Sequence, residues 1–145
     1  MVIINYPEPG FRVKNEHGKE FIFDSFRKKW LLLTPEEWVR QNFLQYLLQV
    51  RNYPAALVAI EKELVLGELK KRFDILVYDR DHRPWMMIEC KAATIKLDEV
   101  VLQQVLRYNI TVPVQCLVIT NGSSTYAWQR NGNNLELIDE LPAFK

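Results

Sequence analysis

The sequence predicts an α/β domain: a mixed central sheet flanked by helices, with an N-terminal β-hairpin. Three observations carry this. Two segments space their apolar residues at helical intervals. Several others are short β-prone runs bounded by turn residues. Their order, roughly ββ-α-βββ-α-β-ββ, is that of helices laid over a mixed sheet. A length of 145 residues allows one domain and hardly a second at roughly 100–200 residues per domain. The 48% apolar content is enough for a packed core. One domain over residues 1–145 is therefore expected.

Residues 1–20 are polar, hold Pro7, Pro9, Gly10 and Gly18, and read as an arm. Glu20 to Asp24 and Lys29 to Leu33 are β-prone runs around Ser25-Phe26-Arg27-Lys28, a hairpin. Thr34-Pro35-Glu36-Glu37 starts a helix: Thr34 caps, Pro35 takes the first helical position and Glu37 completes a capping box. Val39, Phe43, Leu47 and Val50 continue it, and the helix should end before Pro54. Strands are expected over Leu57 to Leu66, closed by Gly67, over Arg72 to Tyr78, and over Pro84 to Lys91. Leu97, Val101, Val105 and Tyr108 mark an amphipathic helix from about Leu97 to Asn109. Val114 to Thr120 is a further strand, closed by Asn121-Gly122. Tyr126 to Gln129 and Leu135 to Ile138 form a last hairpin across Asn131-Gly132.

Composition excludes several classes. With 19 basic and 18 acidic residues, the chain cannot coat nucleic acid by bulk charge. No apolar run reaches the ~20 residues of a membrane span, and Met1-Val-Ile-Ile-Asn-Tyr-Pro lacks the marks of a signal peptide. Cys90 and Cys116 are far apart, so they suggest free interior thiols in a reducing cytoplasm. Two histidines are too few for a zinc cluster.

The chemistry is expected around the turn at Asp81-His82. If that turn is tight, paired residues sum to 163, so Asp79 meets Pro84, Val77 meets Met86, and Asp74 meets Glu89. Directly paired residues share a face, and alternation adds Lys91 to it while Cys90 points away. Two adjacent carboxylates repel unless neutralised. A hard divalent cation such as Mg²⁺, with Mn²⁺ as a substitute, suits them, and the backbone carbonyl of Cys90 is the expected third protein ligand. Lys91 would then steady charge growing on a phosphate. Read blandly, the same residues are a solvated ion-pair ladder. Against that, Ile75-Leu76-Val77 and Met86-Met87-Ile88 read as central, doubly buried strands, where acids are costly without a partner.

Other candidates carry two readings each. Glu37 is a helix cap or a third metal-site carboxylate, and Arg40 at i+3 pairs with it. Gln104 and Tyr108 lie one turn apart. Either Tyr108 is core and Gln104 solvated, or Gln104 faces the metal site. Lys70-Lys71-Arg72 and Arg27-Lys28-Lys29 are ordinary surface or contacts to a phosphate backbone. Most of the four tryptophans are expected in the core.

Lys71-Arg72-Phe73-Asp74-Ile75, Ile88-Glu89-Cys90-Lys91-Ala92 and Gln104-x-x-x-Tyr108-Asn109 together resemble the PD-(D/E)xK nuclease superfamily. More narrowly, they resemble the N-terminal nuclease domain of type I restriction enzyme R subunits and its small stand-alone bacterial forms. Leu33 to Gln41 and Ile119-Thr120-Asn121-Gly122 extend the likeness over nearly the whole chain. The resemblance implies a restriction-endonuclease-like fold and a Mg²⁺-dependent DNA nuclease. It assigns Asp74 and Glu89 to the metal, Lys91 to catalysis, Gln104 and Tyr108 to the Q-x-x-x-Y element, and Glu37, more loosely, to the acid on the first core helix. Phe73 stands where the superfamily name has Pro. No G-x-x-x-x-G-K-[ST] loop is present, so no ATP-driven motor is expected in this chain. A non-catalytic nucleic-acid-binding or partner-docking module of the same fold is the alternative.

Overall fold

The computed structural model describes residues 1–144. Near its start, Val2 is buried and bridges antiparallel to Thr125. Strands β1 (Val13–Glu16), β2 (Lys19–Asp24) and β3 (Lys29–Leu32) then pair antiparallel in that order. The expected hairpin is β2–β3. The expected arm, by contrast, contains a whole strand. Turn chemistry explains this: His17 and Gly18 both have positive φ, 54° and 77°, as in a two-residue type I′ turn, and they join Glu16 to its partner Lys19. A histidine in the left-handed region is rare enough that the pattern reads as loop.

Helix α1 (Pro35–Gln49) begins where the sequence places it, with Thr34 Oγ1 accepting the Glu37 N–H at 3.0 Å. A single 3₁₀ turn at Ala55–Leu57 leads into β4 (Val58–Leu66), β5 (Leu69–Tyr78) and β6 (Pro84–Cys90). Helix α2 (Glu99–Asn109), β7 (Cys116–Thr120), β8 (Thr125–Asn131) and β9 (Asn134–Ile138) complete the described chain. Asp98 caps α2 through the Val101 N–H at 3.0 Å. Leu97, expected inside the helix, is buried just ahead of it.

Strands β4 to β9 form one six-stranded sheet in sequence order. All neighbours are antiparallel except β6 and β7. A parallel pair needs a crossover, and α2 supplies it. Ile75, Val77, Met86, Ile88, Cys90 and Val118 pack with Val39, Phe43 and Leu47 of α1. Leu76, Met87, Leu117 and Ile119 pack with Leu97 and Val105 on the α2 side. The central strands are thus buried on both faces, which is why they read as continuous apolar runs. No helix among the described residues is long and apolar enough to cross a membrane.

Candidate functional site

The β5–β6 register is the one the turn arithmetic expects over Ile75↔Ile88, Leu76↔Met87 and Val77↔Met86. Beyond Val77 a bulge shifts it, so Pro84 faces Tyr78 and not Asp79. Asp79 instead turns inward on the loop, where its Oδ1 accepts the Asp81 and Arg83 N–H groups at 2.9 and 3.0 Å. At the other end the ladder opens after Ile75↔Ile88. There Asp74 Oδ2 accepts the Cys90 N–H at 2.8 Å, a side chain substituting for a strand partner. The irregularity extends to β4. Ile60↔Ile75 and Lys62↔Phe73 are paired, but the intervening Glu61 and Asp74 are not, and Glu61 has φ 50°. A non-glycine residue there costs about 1–3 kcal/mol and persists only where its surroundings hold it. Strict alternation also fails here: Phe73 packs on the α2 side and Ile75 on the α1 side. The break lies at Asp74.

Glu89 is the last residue but one of β6, and its Oε1 is 3.5 Å from Lys91 Nζ. Lys91 lies just past the strand, but its N–H donates to Thr120 O at 2.8 Å, so β7 holds it in line. Glu89, Lys91, Gln104 and Tyr108 line one cleft of about 260 Å³ between sheet and α2. Tyr108 is 67% exposed, so it is not core. Tyr108 and Gln104 are both exposed beside Glu89. A larger cleft, about 650 Å³, lies between the N-terminal stretch and α1 and is lined by Tyr6, Trp38, Ala93 and Gly122. Asp74 and Glu89 lie outside it, and the acid on its wall is Glu8.

Burial raises the pKa of both Asp74 and Glu89. The Asp74 charge adds to the rise at Glu89, and Lys91 opposes it at both. Glu36, at the start of α1, behaves likewise: burial first, then the Asp74 charge, push its carboxyl up. Its charge in turn raises Glu89. The helix carboxylate whose titration is coupled to these acids is therefore Glu36, which the motif and its spacing did not single out. The available signal was the i,i+4 relation of Glu36 to Arg40, the side chain that reaches Asp74.

Glu37 is corrected accordingly. It supplies the backbone N–H of the cap, but its carboxylate is held by Arg40 Nε and Nη2 at 3.0 and 3.1 Å and by Gln41 at 3.2 Å. Arg40, buried, also reaches Asp74 Oδ1 and Glu61 Oε1, both at 3.3 Å. Arg27 continues the chain of charges, donating to Asp24 at 2.6 Å and Glu61 at 2.7 Å. Arg27 Nη2 also lies 3.5 Å from Glu37 Oε1, so Glu37 is an anchor for two arginines and its oxygens are already occupied.

Lys71 is corrected as well. It is 5% exposed, donates to Tyr108 O and sits 3.9 Å from the Tyr108 ring centroid. A cation at a helix C-terminus is well placed to satisfy its free carbonyls. It cannot also meet a phosphate backbone from that position. Lys70 and Arg72 do point outward, each near a β4 acid: Glu63 at 3.5 Å and Glu61 at 3.4 Å. The Cys90 thiol is fully buried with its pKa driven well up, and burial pushes Cys116 up to about 12. Both are free thiols.

Among the described residues, no three His, Cys, Asp or Glu side chains form a ready metal cage. The donors at hand are two half-buried carboxylates, both with raised proton affinity, and the Asp74 charge adds to the rise at Glu89. That oxygen-only set fits a hard cation that keeps most of its waters, as Mg²⁺ does with one or two protein carboxylates.

A comparison with curated proteins finds no match. The family model for the type I restriction enzyme R protein N terminus matches residues 35–142, which spans α1, the six-stranded sheet, every candidate metal and catalytic residue and the lining of the smaller cleft. A match over that much of the chain places this protein in the type I restriction enzyme R protein N-terminal family.

Proposed function

We propose that this chain is a Mg²⁺-dependent nuclease of the PD-(D/E)xK type that hydrolyses phosphodiester bonds in DNA, in restriction or DNA processing. The observation that supports it best is the opening of the β5–β6 ladder, with Asp74, Glu89 and Lys91 gathered around it. Asp74 and Glu89 would hold the ion, with the Cys90 carbonyl as a further ligand. When bound, Mg²⁺ supplies a water of lowered pKa and charge stabilisation on the scissile phosphate. The chain's own groups do the rest. Arg40 and the Cys90 N–H orient Asp74 from behind. Lys91 holds an ammonium beside the site, where it stabilises charge that grows on the phosphate oxygens. Gln104 and Tyr108 form the exposed wall along which the substrate strand lies. Two buried thiols suit a reducing cytoplasm.

Plasmid nicking with Mg²⁺ or Mn²⁺ tests this, comparing wild type, Lys91→Ala and Asp74→Ala. The wild type nicks, and Lys91→Ala falls by about 10²-fold or more, the scale of losing one preorganised stabilising group. Equal nicking by all three proteins identifies a contaminant and sinks the reading. One observation favours a non-catalytic module instead: Arg40 already sits on Asp74 Oδ1 at 3.3 Å. A wild type that binds DNA and never cuts would decide for that module.

A further inference from the structure

The three-stranded sheet β1–β2–β3 lies outside the matched family segment, and the site chemistry uses only its turn residue Arg27 and Asp24. Its register puts particular side chains on one face. Lys14 pairs with Phe21, Phe21 with Leu32, and Phe23 with Trp30. Pairs directly opposite share a face, and so do residues two apart. Arg12 joins this face by accepting the Phe23 N–H on its carbonyl. The result is an aromatic floor with cations on top. Lys14 Nζ is 4.4 Å from the Trp30 ring centroid, and the Arg12 guanidinium is 4.9 Å from Phe23 and 5.4 Å from Trp30. Leu32 is 48% exposed, so the floor reaches solvent.

The charge on this face is poorly balanced. Among the described residues, Lys14 has one acid near it, Glu16 at 3.6 Å on a half-exposed side chain. Arg12 and Lys19, which shares the face with Phe21, have no carboxylate within ion-pair reach among the described residues. A long cation free in water loses rotamer entropy when it binds an anion. A cation already resting on a ring has given up much of that freedom, so it binds with less further loss.

We propose that this face of the N-terminal sheet is a docking surface for the sugar-phosphate backbone of nucleic acid, with Arg12 and Lys14 as its principal phosphate contacts. Its position is useful. The β2–β3 turn carries Arg27, which contacts Glu61 and Glu37 within the charge network that reaches Asp74. The sheet that carries the face is therefore fastened to the same charge network as the candidate site. The inference rests on the nucleic-acid reading of the proposed function, but it concerns binding and needs no metal.

The test is fluorescence anisotropy of labelled single-stranded and duplex 30-mers in EDTA, where nothing is cut. Wild type, Arg12→Glu/Lys14→Glu, the milder Arg12→Gln/Lys14→Gln, and Arg80→Glu at the far end of the large sheet are compared, each checked for an intact thermal melt. The double charge reversal weakens binding by about tenfold or more, and the slope of log K against log salt shrinks by about 1.4–1.8, since each lost phosphate contact removes ~0.7–0.9. The Gln pair shows a smaller loss in the same direction, and Arg80→Glu stays near wild type. Unchanged affinity and slope in both double variants overturns the proposal, as does a wild type that binds no DNA. A concentration-dependent dimer that only the face variants abolish, without DNA binding, assigns the face to a second copy and also overturns it. DNA binding through the face without any cleavage in Mg²⁺ keeps this proposal and removes the nuclease reading. Cleavage by variants that bind like wild type does the reverse.

Discussion

At the scale of single residues, the two neighbouring glutamates at the start of α1 take opposite jobs. Glu37 holds buried Arg40 with two hydrogen bonds. Glu36 is exposed and bears on the acids. Glu37→Ala leaves a buried guanidinium short of its main partner and should cost about 3–5 kcal/mol. Glu36→Gln should leave the urea midpoint within ~0.5 kcal/mol of wild type and lower nicking at limiting Mg²⁺. The reverse pattern would restore Glu37 to the metal site. Glu89 gives a pH prediction. Burial and the Asp74 charge raise its folded-state pKa. Between its unfolded value, ~4.3, and that raised value, the folded state binds more protons than the unfolded. Stability contributed by this group therefore falls as pH rises through the window and stays low above it. Without metal, Glu89→Gln should melt higher than wild type at pH 7–8 and lose the advantage near pH 4. A variant less stable at pH 7–8 would show that the Lys91 pair outweighs desolvation. The same linkage means that a bound divalent cation stabilises the folded chain.

Elements are joined at this site by a few backbone positions. Gly122 follows β7 at φ 89°, and a Cβ there would lie 3.4 Å from Val39 Cγ2 on α1. Gly122→Ala combines a left-handed backbone with a tight contact and should cost about 1–2 kcal/mol. An unchanged denaturation midpoint would mean that the loop shifts freely. Thr120 and Asn121 beside it hold the loop: Asn121 donates to Ile95 O at 2.8 Å and accepts the Ser123 and Ser124 N–H groups. The segment from Lys91 to the start of α2 is thus fastened to the end of β7. Lys71 fastens the other end of α2 to β5. The wall holding Gln104 is therefore fixed at both ends.

The whole molecule is tied together by charges between its two sheets. Asp24 and Arg27 come from the small sheet, Glu37 and Arg40 from α1, Glu61 and Asp74 from the large one. Val2 adds an apolar anchor at Thr125. Removing residues 1–33 strips Arg27 and Val2 together. It should remove several kcal/mol from a fold that holds ~5–15 in total. We expect the truncated chain to lose its cooperative melt, although it retains the whole matched family segment. A truncated chain melting within a few degrees of the full one would show the two sheets to be independent. In the intact chain, tryptophan fluorescence and far-UV circular dichroism should report one coincident transition, because Trp30 lies in one sheet and Trp85 and Trp128 in the other.

Local signals were enough for the helices, for the order of the strands from β2 onward and for the middle of the β5–β6 register, though not for its ends, where neither Asp79 with Pro84 nor Asp74 with Glu89 is paired. Capping at Thr34, apolar spacing and turn residues act over a few positions, and the sequence holds all of that information. The pairing of Ile75 with Ile88 follows from the length of one turn. The resemblance of Asp74, Glu89 and Lys91 to a nuclease pattern pointed to the end of these strands where the ladder opens. Tertiary structure decided what no local count contains. It turned Glu37 towards two arginines and left Glu36 coupled to the acids without an ion-pair partner among the described residues, because Asp24, Arg27 and Glu61 arrive from distant segments and compete for the same charges. It buried Lys71 against the end of α2 and exposed Tyr108, since the angle at which a helix crosses a sheet sets which of its residues meet water. It also made a strand within residues 1–20, where only pairing with β2 stabilises a left-handed histidine.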